Sequence, residues 1–167
     1  MDRIRKVAAN ISGIDPLIIK KTQERLDNLT KPLGSLGRLE ELARQICGIT
    51  GKESPLLRNK VIFTLASDHG VTEEGVSAYP KEVTSQMVYN FLSGGAGINV
   101  LANHVGARVV VVDIGVSSDL KPSPQLVIKK INYGTKNMAK GPAMTRDEAV
   151  KAICAGIEIF EDEFKAG

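Results

Sequence analysis

Two apolar segments of strand length constrain the fold of this chain more than any other feature. Residues 61–66 read VIFTLA, and residues 108–115 read RVVVVDIG. Near-continuous apolar runs of this length are typical of strands buried on both faces of a parallel sheet. About 40 residues separate the two runs, which is enough for a helical crossover. We therefore predict a βαβ unit with a right-handed crossover.

The segments around these runs extend the pattern. Pro80 is predicted to begin the crossover helix, which Gly94-Gly95 interrupts, and residues 126–128 are predicted to form a third strand. A last helix should begin after Thr145, which forms a capping-box pattern with Glu148. Its apolar residues then line one face. They are Ile153, Ile157, Phe160 and Phe164.

In the first part of the chain, by contrast, the apolar residues recur with the period of a helix. Asp15-Pro16 is a favourable helix start, because Asp can cap and Pro is tolerated at the first helical position. A second helix should run through the apolar residues of segment 36–49, with Gly48 or Gly51 as its end. We predict a helical N-terminal arm over 1–58 and part of an α/β domain over 59–167, whose parallel sheet looks incomplete.

Composition excludes several classes of function. The net charge of +3 is too small and too scattered to indicate nucleic-acid binding. No apolar stretch approaches ~18 residues, and the N-terminus lacks the apolar core of a secretory signal. Cys47 and Cys154 lie far apart, so two reduced thiols in a cytoplasmic protein are expected.

Asp68-His69-Gly70 is the first candidate site, because it follows a predicted parallel strand, where α/β proteins bind ligands. It is either a site wall, with an acid–base or metal pair, or a solvated turn in which Gly70 supplies an unusual φ. Glu73 and Glu74 are either a general-base pair or exposed loop carboxylates, and the second interpretation is favoured because adjacent side chains usually point apart.

Three further features have weaker signals. The glycines of segment 94–97 resemble a phosphate loop but sit inside a helical pattern, which favours close helix packing. The basic helix entry at 31–38 is either an anion site or a turn. His104 is expected on a helix surface, and the polar loop 134–144 could cover the crevice near residue 68.

Five ordered blocks together resemble the nicotinate-nucleotide–dimethylbenzimidazole phosphoribosyltransferase family. They cover nearly the whole chain: TKPLGSLGRLE at 30–40, SDHGVTEEGVSAYP at 67–80, NFLSGGAGINVLA at 90–102, VDIGV at 112–116 and GPAMT at 141–145. The resemblance implies transfer of ribose-5-phosphate from nicotinate mononucleotide to 5,6-dimethylbenzimidazole, giving α-ribazole 5′-phosphate and nicotinate. This reaction supplies the lower ligand of cobalamin.

The resemblance also implies a homodimer, no bound cofactor, and a Rossmann-like parallel sheet beside a small helical domain. It assigns the region after Asp68-His69-Gly70 to the pocket for the base. Tyr79 and Met87 stand where some relatives have a pocket serine and glutamine, and Gln86 is a candidate for the missing amide.

The family's general-base glutamate and its later phosphate segment are expected beyond Gly167, because family members are about twice this length. On this basis the chain is expected to be an N-terminal portion that lacks activity alone. Two alternatives remain: a half-length module that binds a ligand or partner without catalysis, and a metal-dependent hydrolase using Asp68 and His69.

Overall fold

A computed structural model describes residues 1–166 of the chain. The chain divides into two compact units, Ile4–Arg58 and a second unit that begins at Asn59. The elements are, in chain order, α1 (Asp2–Ala9), α2 (Pro16–Asp27), α3 (Arg38–Thr50), β1 (Lys60–Ser67), α4 (Glu82–Leu92), α5 (Gly97–Val105), β2 (Ala107–Gly115), β3 (Leu126–Ile128) and α6 (Arg146–Ala166).

The ends of the helices in the first unit agree in part with those predicted from the sequence. The Asp15 carboxylate accepts hydrogen bonds from the amides of Leu17 at 2.8 Å and Ile18 at 3.3 Å, which caps α2 as predicted. Gly51 ends α3 in a left-handed conformation with φ +64. Gly48, the other predicted stop, instead lies buried within α3, where a Cβ would come within 2.3 Å of the Ile14 side chain.

The basic segment before α3 is a turn whose cations are already paired. Lys31 Nζ lies 2.8 Å from the Glu40 carboxylate, and both side chains are largely buried. This lysine, together with the amide of Leu36, holds the pKa of Glu40 below its ordinary range. Arg38 pairs with Glu41. The arrangement favours the turn over the anion site.

The second unit contains a three-stranded parallel sheet in the order β1-β2-β3. β1 pairs with β2 from Lys60↔Ala107 to Ala66↔Asp113, and a bulge then shifts Ser67 opposite Gly115. β3 pairs only with residues 111–113 of β2. The predicted α/β class, the three strands and the crossover are confirmed.

The helices cover opposite faces of this sheet. Val88 of α4 packs with Val111 and Leu126 on one face. Ile159 of α6 packs with Val110 and Val112 on the other. Since successive side chains of a strand point to opposite faces, the valine run of β2 supplies both cores.

α6 begins with the predicted capping box. The Glu148 carboxylate accepts from the amide and hydroxyl of Thr145, at 2.7 and 2.9 Å, and Thr145 Oγ1 accepts from the amide of Glu148. The helix buries Ala155 and Ile159 rather than its most apolar stripe. Phe160 and Phe164 of that stripe stack on each other at 6.1 Å and stay exposed.

Within residues 1–166, no helix combines the length and the apolar character needed to cross a bilayer. Helix α1 and a short 3₁₀ turn over Gly70–Glu74 were not predicted from the sequence.

Candidate functional site

Two hollows meet at the carboxyl end of β1. The first, here called the α4-face cleft, has a volume of about 360 Å³ and is lined by β1, the 77–81 loop and α4. The second, called the α6-face cavity, measures about 200 Å³ and is enclosed by the ends of β1 and β2, the loop 131–144 and the first turns of α6. Ser67 lines both. The carboxyl ends of parallel strands are where α/β proteins bind ligands.

Asp68 is buried where the two hollows meet, and its hydrogen bonds connect the end of β1 to α4, to the end of β2 and to the loop 131–144. Its carboxylate accepts from the Thr84 hydroxyl of α4 at 2.7 Å and from the amide of Ser117 at 2.7 Å. Its main-chain amide donates to the Gly115 carbonyl, and its carbonyl accepts from the amide of Thr135. The carboxylate oxygens are therefore occupied by structural partners, although the residue lines the α4-face cleft.

His69 faces the opposite side of the strand from Asp68. It is exposed, it lines the α6-face cavity, and its main chain bridges to Thr135. Its imidazole has no hydrogen-bond partner within residues 1–166. Because Asp68 and His69 line different hollows, they do not form the acid–base or metal pair that one interpretation of the sequence allowed.

Gly70 is required for a close approach and not for its φ. A Cβ there would lie 2.5 Å from the amide nitrogen of Asn137 and 2.8 Å from the carbonyl oxygen of Thr135. Its φ is not positive, so the alternative of an unusual φ is wrong. The missing side chain lets the loop 131–144 lie directly against the segment after β1.

The two adjacent glutamates hold that loop in place. Asn137, which is buried, donates to the Glu74 carboxylate at 2.7 Å. Lys140 pairs with Glu73 at 3.0 Å, and this hydrogen bond lowers the pKa of Glu73. Both glutamates are exposed and pair with loop residues, and neither lines one of the two hollows.

Glu148 closes the far side of the α6-face cavity. Besides capping α6, its carboxylate accepts from the side-chain amide of Asn132 at 2.7 Å. The hydrogen bond from the amide of Thr145 lowers the pKa of Glu148, and the hydrogen bond from Asn132 lowers it further. The carboxylate is thus satisfied by donors and balances the positive end of the α6 dipole.

Of the residues assigned to a base pocket, Tyr79 and Met87 line the α4-face cleft, together with Phe91. Gln86 is exposed and lines neither hollow. It lies two positions from Thr84, and helix residues two apart do not share a face. The structure brings Asp68, Tyr79 and Met87 together at the α4-face cleft, whereas His69 lines the α6-face cavity and Gly70 lines neither hollow.

Sequence reasoning missed one buried ion pair beside the site. Asp113 of β2 is 1% exposed, and its carboxylate accepts from the amides of Gly115 and Val116 and lies 3.0 Å from Lys130 Nζ. The same ammonium sits 4.7 Å from the ring centre of Tyr133. A lone carboxylate inside a valine run was the available signal, because such a group is rarely buried without a partner.

Other surfaces do not compete with this site. A larger depression of about 690 Å³ lies around the amino-terminal half of β2, away from the strand ends that bind ligands. His104 is exposed on α5, as expected. Among the residues that the structure describes, no group of three His, Cys, Asp or Glu side chains is placed to hold a metal ion.

The sequence and the fold match known proteins over most of the chain. A family model described as "Phosphoribosyltransferase" matches residues 11–167. The chain is 55% identical over 167 residues to a nicotinate-nucleotide–dimethylbenzimidazole phosphoribosyltransferase of Geobacter sulfurreducens and covers 47% of that protein. It is 52% identical to the protein of the same name from Chloroflexus aurantiacus and covers 48% of it.

Solved structures agree with these matches. The crystal structure of the protein of that name from Thermus thermophilus superposes with a TM-score of 0.87 at 45% identity, over 92% of this chain and 47% of that chain. This chain therefore spans about half the length of the curated relatives it matches.

Proposed function

Because the chain belongs to the nicotinate-nucleotide–dimethylbenzimidazole phosphoribosyltransferase family, we propose that it forms part of an enzyme that transfers ribose-5-phosphate from nicotinate mononucleotide to 5,6-dimethylbenzimidazole. The products are α-ribazole 5′-phosphate and nicotinate, for the lower ligand of cobalamin. The observation that carries the proposal is the pair of adjoining hollows at the carboxyl end of β1.

The α4-face cleft suits the acceptor base. Its volume of about 360 Å³ lies within the ~300–1,000 Å³ range of small-molecule pockets. Tyr79, Met87 and Phe91 offer aromatic and polarizable surface to a flat dimethylated ring. Asp68 contributes by fixing the helix that carries Met87, since its carboxylate holds Thr84 of the same helix.

The chemistry is a displacement at C1′ of the ribose. The bond from C1′ to the pyridinium nitrogen of the donor breaks, and nicotinate leaves with that electron pair. A benzimidazole nitrogen forms the new bond, and the acceptor's N–H proton passes to a base. The donor is β-linked and the product α-linked, so attack and departure occur on opposite sides of C1′.

Three carboxylates at or beside the two hollows already have partners, so none of them is free to act as that base. Asp68 is engaged by Thr84 and Ser117, Glu148 by Thr145 and Asn132, and Glu73 by Lys140. We therefore propose that the 167 residues alone do not catalyse transfer, and that a protein with the length of the relatives does.

A chimera tests both statements. In the chimera, this chain replaces the part of the G. sulfurreducens protein that it matches, which is 47% of that protein's length. With nicotinate mononucleotide and dimethylbenzimidazole, we expect the chimera to form α-ribazole phosphate, measured by mass spectrometry, and the 167-residue chain to form none. A chimera that melts cooperatively yet is inactive would contradict the proposal. Dimethylbenzimidazole binding without turnover would then indicate a non-catalytic module.

The family also supports a homodimer in the cytoplasm as part of the proposal. Light scattering on the purified chimera gives its mass directly. We expect twice the mass of one chain, and a monomer at micromolar concentration would contradict the dimer.

A further inference from the structure

Residues 116–118 follow β2 directly and are held from two sides. The amide of Ser117 donates to the Asp68 carboxylate at 2.7 Å. The carbonyls on either side of it, those of Val116 and Ser118, both accept from Lys130 Nζ, the second at 2.9 Å. This segment, here called the β2 turn, is therefore fixed between one buried carboxylate and one lysine.

The ammonium of Lys130 is itself held in place. It lies 3.0 Å from the Asp113 carboxylate, and the side chains of Lys130 and Asp113 are 15% and 1% exposed. The ring of Tyr133 lies against the same ammonium, and the Tyr133 hydroxyl donates to Asp119, the residue after the β2 turn, at 2.8 Å. Ordering a lysine side chain costs conformational entropy, and several simultaneous contacts offset that cost.

The β2 turn is connected to the α4-face cleft through Asp68. One carboxylate oxygen of Asp68 accepts from Ser117 and the other from the Thr84 hydroxyl. Thr84 belongs to α4, and both Thr84 and Met87 of that helix line the cleft. A displaced Ser117 would therefore move the carboxylate and, with it, the helical wall of the cleft.

We propose that Lys130 is a positioning residue for the acceptor base: it fixes the β2 turn and, through Ser117 and Asp68, sets the wall of the α4-face cleft. Lys130 does not line that cleft, so it acts only through these contacts. The acceptor as the occupant of the cleft rests on the proposed function, whereas the effect of Lys130 on the turn does not.

Neutralising Asp113 accounts for only part of what Lys130 contacts. One oxygen of Asp113 accepts from the amides of Gly115 and Val116, and Lys130 lies beside the other oxygen. The two bonds from Lys130 to main-chain carbonyls add nothing to that neutralisation. They are the contacts that reach the segment next to Asp68.

Amide hydrogen exchange in the 167-residue chain tests the effect on the turn. Lys130→Met keeps an unbranched side chain and removes the charge. We expect exchange of the Ser117 amide to accelerate about tenfold or more relative to that of Val112, the size of one hydrogen bond to a charged group. Val112 lies where β2 pairs with both neighbouring strands, so its exchange corrects for a change in overall stability.

The adjacent lysine provides a matched control. Lys129 pairs with Glu158 of α6 at 3.0 Å, the same separation as between Lys130 and Asp113. Within residues 1–166, no hydrogen bond or ion pair joins the Lys129 side chain to the β2 turn. Lys129→Met should therefore leave the ratio of Ser117 to Val112 exchange unchanged.

A double variant separates positioning from the neutralisation of charge. Asp113→Asn/Lys130→Met removes the buried carboxylate charge together with the lysine. It should melt at a higher temperature than Lys130→Met, because no unpaired charge stays buried. Exchange of Ser117 should nevertheless stay fast, since the two carbonyls of the turn still lack their donor. This variant also decides the question if Lys130→Met does not fold.

The methyl signal of Met87 and the activity of the chimera test the effect on the cleft. We expect the Met87 methyl signal to shift in both variants that lack Lys130, while that of Met138, which is exposed and does not line the cleft, stays fixed. In the chimera, Lys130→Met should raise KM for dimethylbenzimidazole about tenfold and change kcat by less than about twofold. The wall of the acceptor site is displaced, but no group that reacts is removed.

Three results would overturn the inference. They are a wild-type ratio of Ser117 to Val112 exchange in Lys130→Met, recovery of that ratio in the double variant, and a chimera in which Lys130→Met lowers kcat at unchanged KM. The exchange and methyl measurements need no turnover. Fast Ser117 exchange together with an inactive chimera refutes only the proposed function, whereas an active chimera whose KM does not respond to Lys130→Met refutes only this inference.

Discussion

Replacing Asp68 by alanine should destabilise the α/β unit strongly, whatever ligand that unit binds. Asp68 is 6% exposed, and its carboxylate accepts two hydrogen bonds of 2.7 Å, from the Thr84 hydroxyl and the Ser117 amide. A hydrogen bond to a charged group contributes about 1.5–3 kcal/mol, and the two donors would be left without their acceptor. We therefore expect Asp68→Ala to lower the free energy of unfolding by about 3–5 kcal/mol.

Tyrosine fluorescence can follow the unfolding of the α/β unit separately from that of the helical unit. The chain has no Trp, and its three tyrosines, Tyr79, Tyr89 and Tyr133, all lie in the unit that begins at Asn59. Tyrosine fluorescence during urea unfolding therefore reports on that unit and not on the helical one. The slope of the transition must stay constant for the difference to be read as stability.

A double-mutant cycle isolates the contact with α4. Thr84→Val removes the hydroxyl, and Thr84→Ser keeps it as the matched control. We expect Asp68→Ala and Thr84→Val to be non-additive by about 1–3 kcal/mol, as for residues in direct contact. A loss below about 1 kcal/mol for Asp68→Ala, or additive effects in the cycle, would refute the reasoning.

Two further predictions concern the loop and the helix that enclose the α6-face cavity. Gly70→Ala should cost about 1–3 kcal/mol or more in the same urea assay, since its Cβ would meet the loop backbone at 2.5 Å. Gly97→Ala, where a Cβ meets nothing within 4 Å, should be neutral or slightly stabilising, and equal effects at both glycines would contradict this account. Glu148 has a folded-state pKa below its ordinary value of 4.5, so its contribution to stability is present above that value and lost as the pH falls through the lowered pKa. The wild type should therefore be more stable than Glu148→Gln at pH 7 and lose that advantage on acidification, and a difference that is constant with pH would exclude a role for the charge.

Much of the fold was predictable because the apolar pattern of the strands and the residues that cap the helices both indicate the same elements. The valine run of β2 predicts a strand covered on both faces, and α4 and α6 do cover it. Asp15 and Thr145 predicted the helix starts, because a cap is a contact between residues two or three apart. Such short-range contacts can be read from one sequence.

The face that α6 buries could not be read in this way. Its apolar period favours the stripe that holds Phe160 and Phe164, yet Ala155 and Ile159 are the buried positions. Periodicity measures how apolar residues are distributed around one helix. Which face is buried depends on where the sheet lies, and the small Ala155 permits close approach to it.

The site was predictable in position but not in detail. A strand end followed by polar residues indicated the segment after β1, where both hollows lie. The partners of Asp68 come from Thr84 and Ser117, which are 16 and 49 residues away along the chain. No local pattern connects them. The sequence therefore suggested an acid–base or metal pair where the structure has a structural carboxylate and a separate imidazole.

The parallel pairing of β1 with β2 has a consequence for the rate of folding. Lys60 and Ala107 are 47 residues apart along the chain, whereas Val111 and Leu126 are 15 apart. Chain-closure entropy rises with the logarithm of loop length, so the first pairing costs about 1 kcal/mol more to close than the second. The helices between β1 and β2 form from local contacts and shorten the distance that the chain must search. Both hollows flank the end of β1, so they should be completed only after β1 has paired with β2.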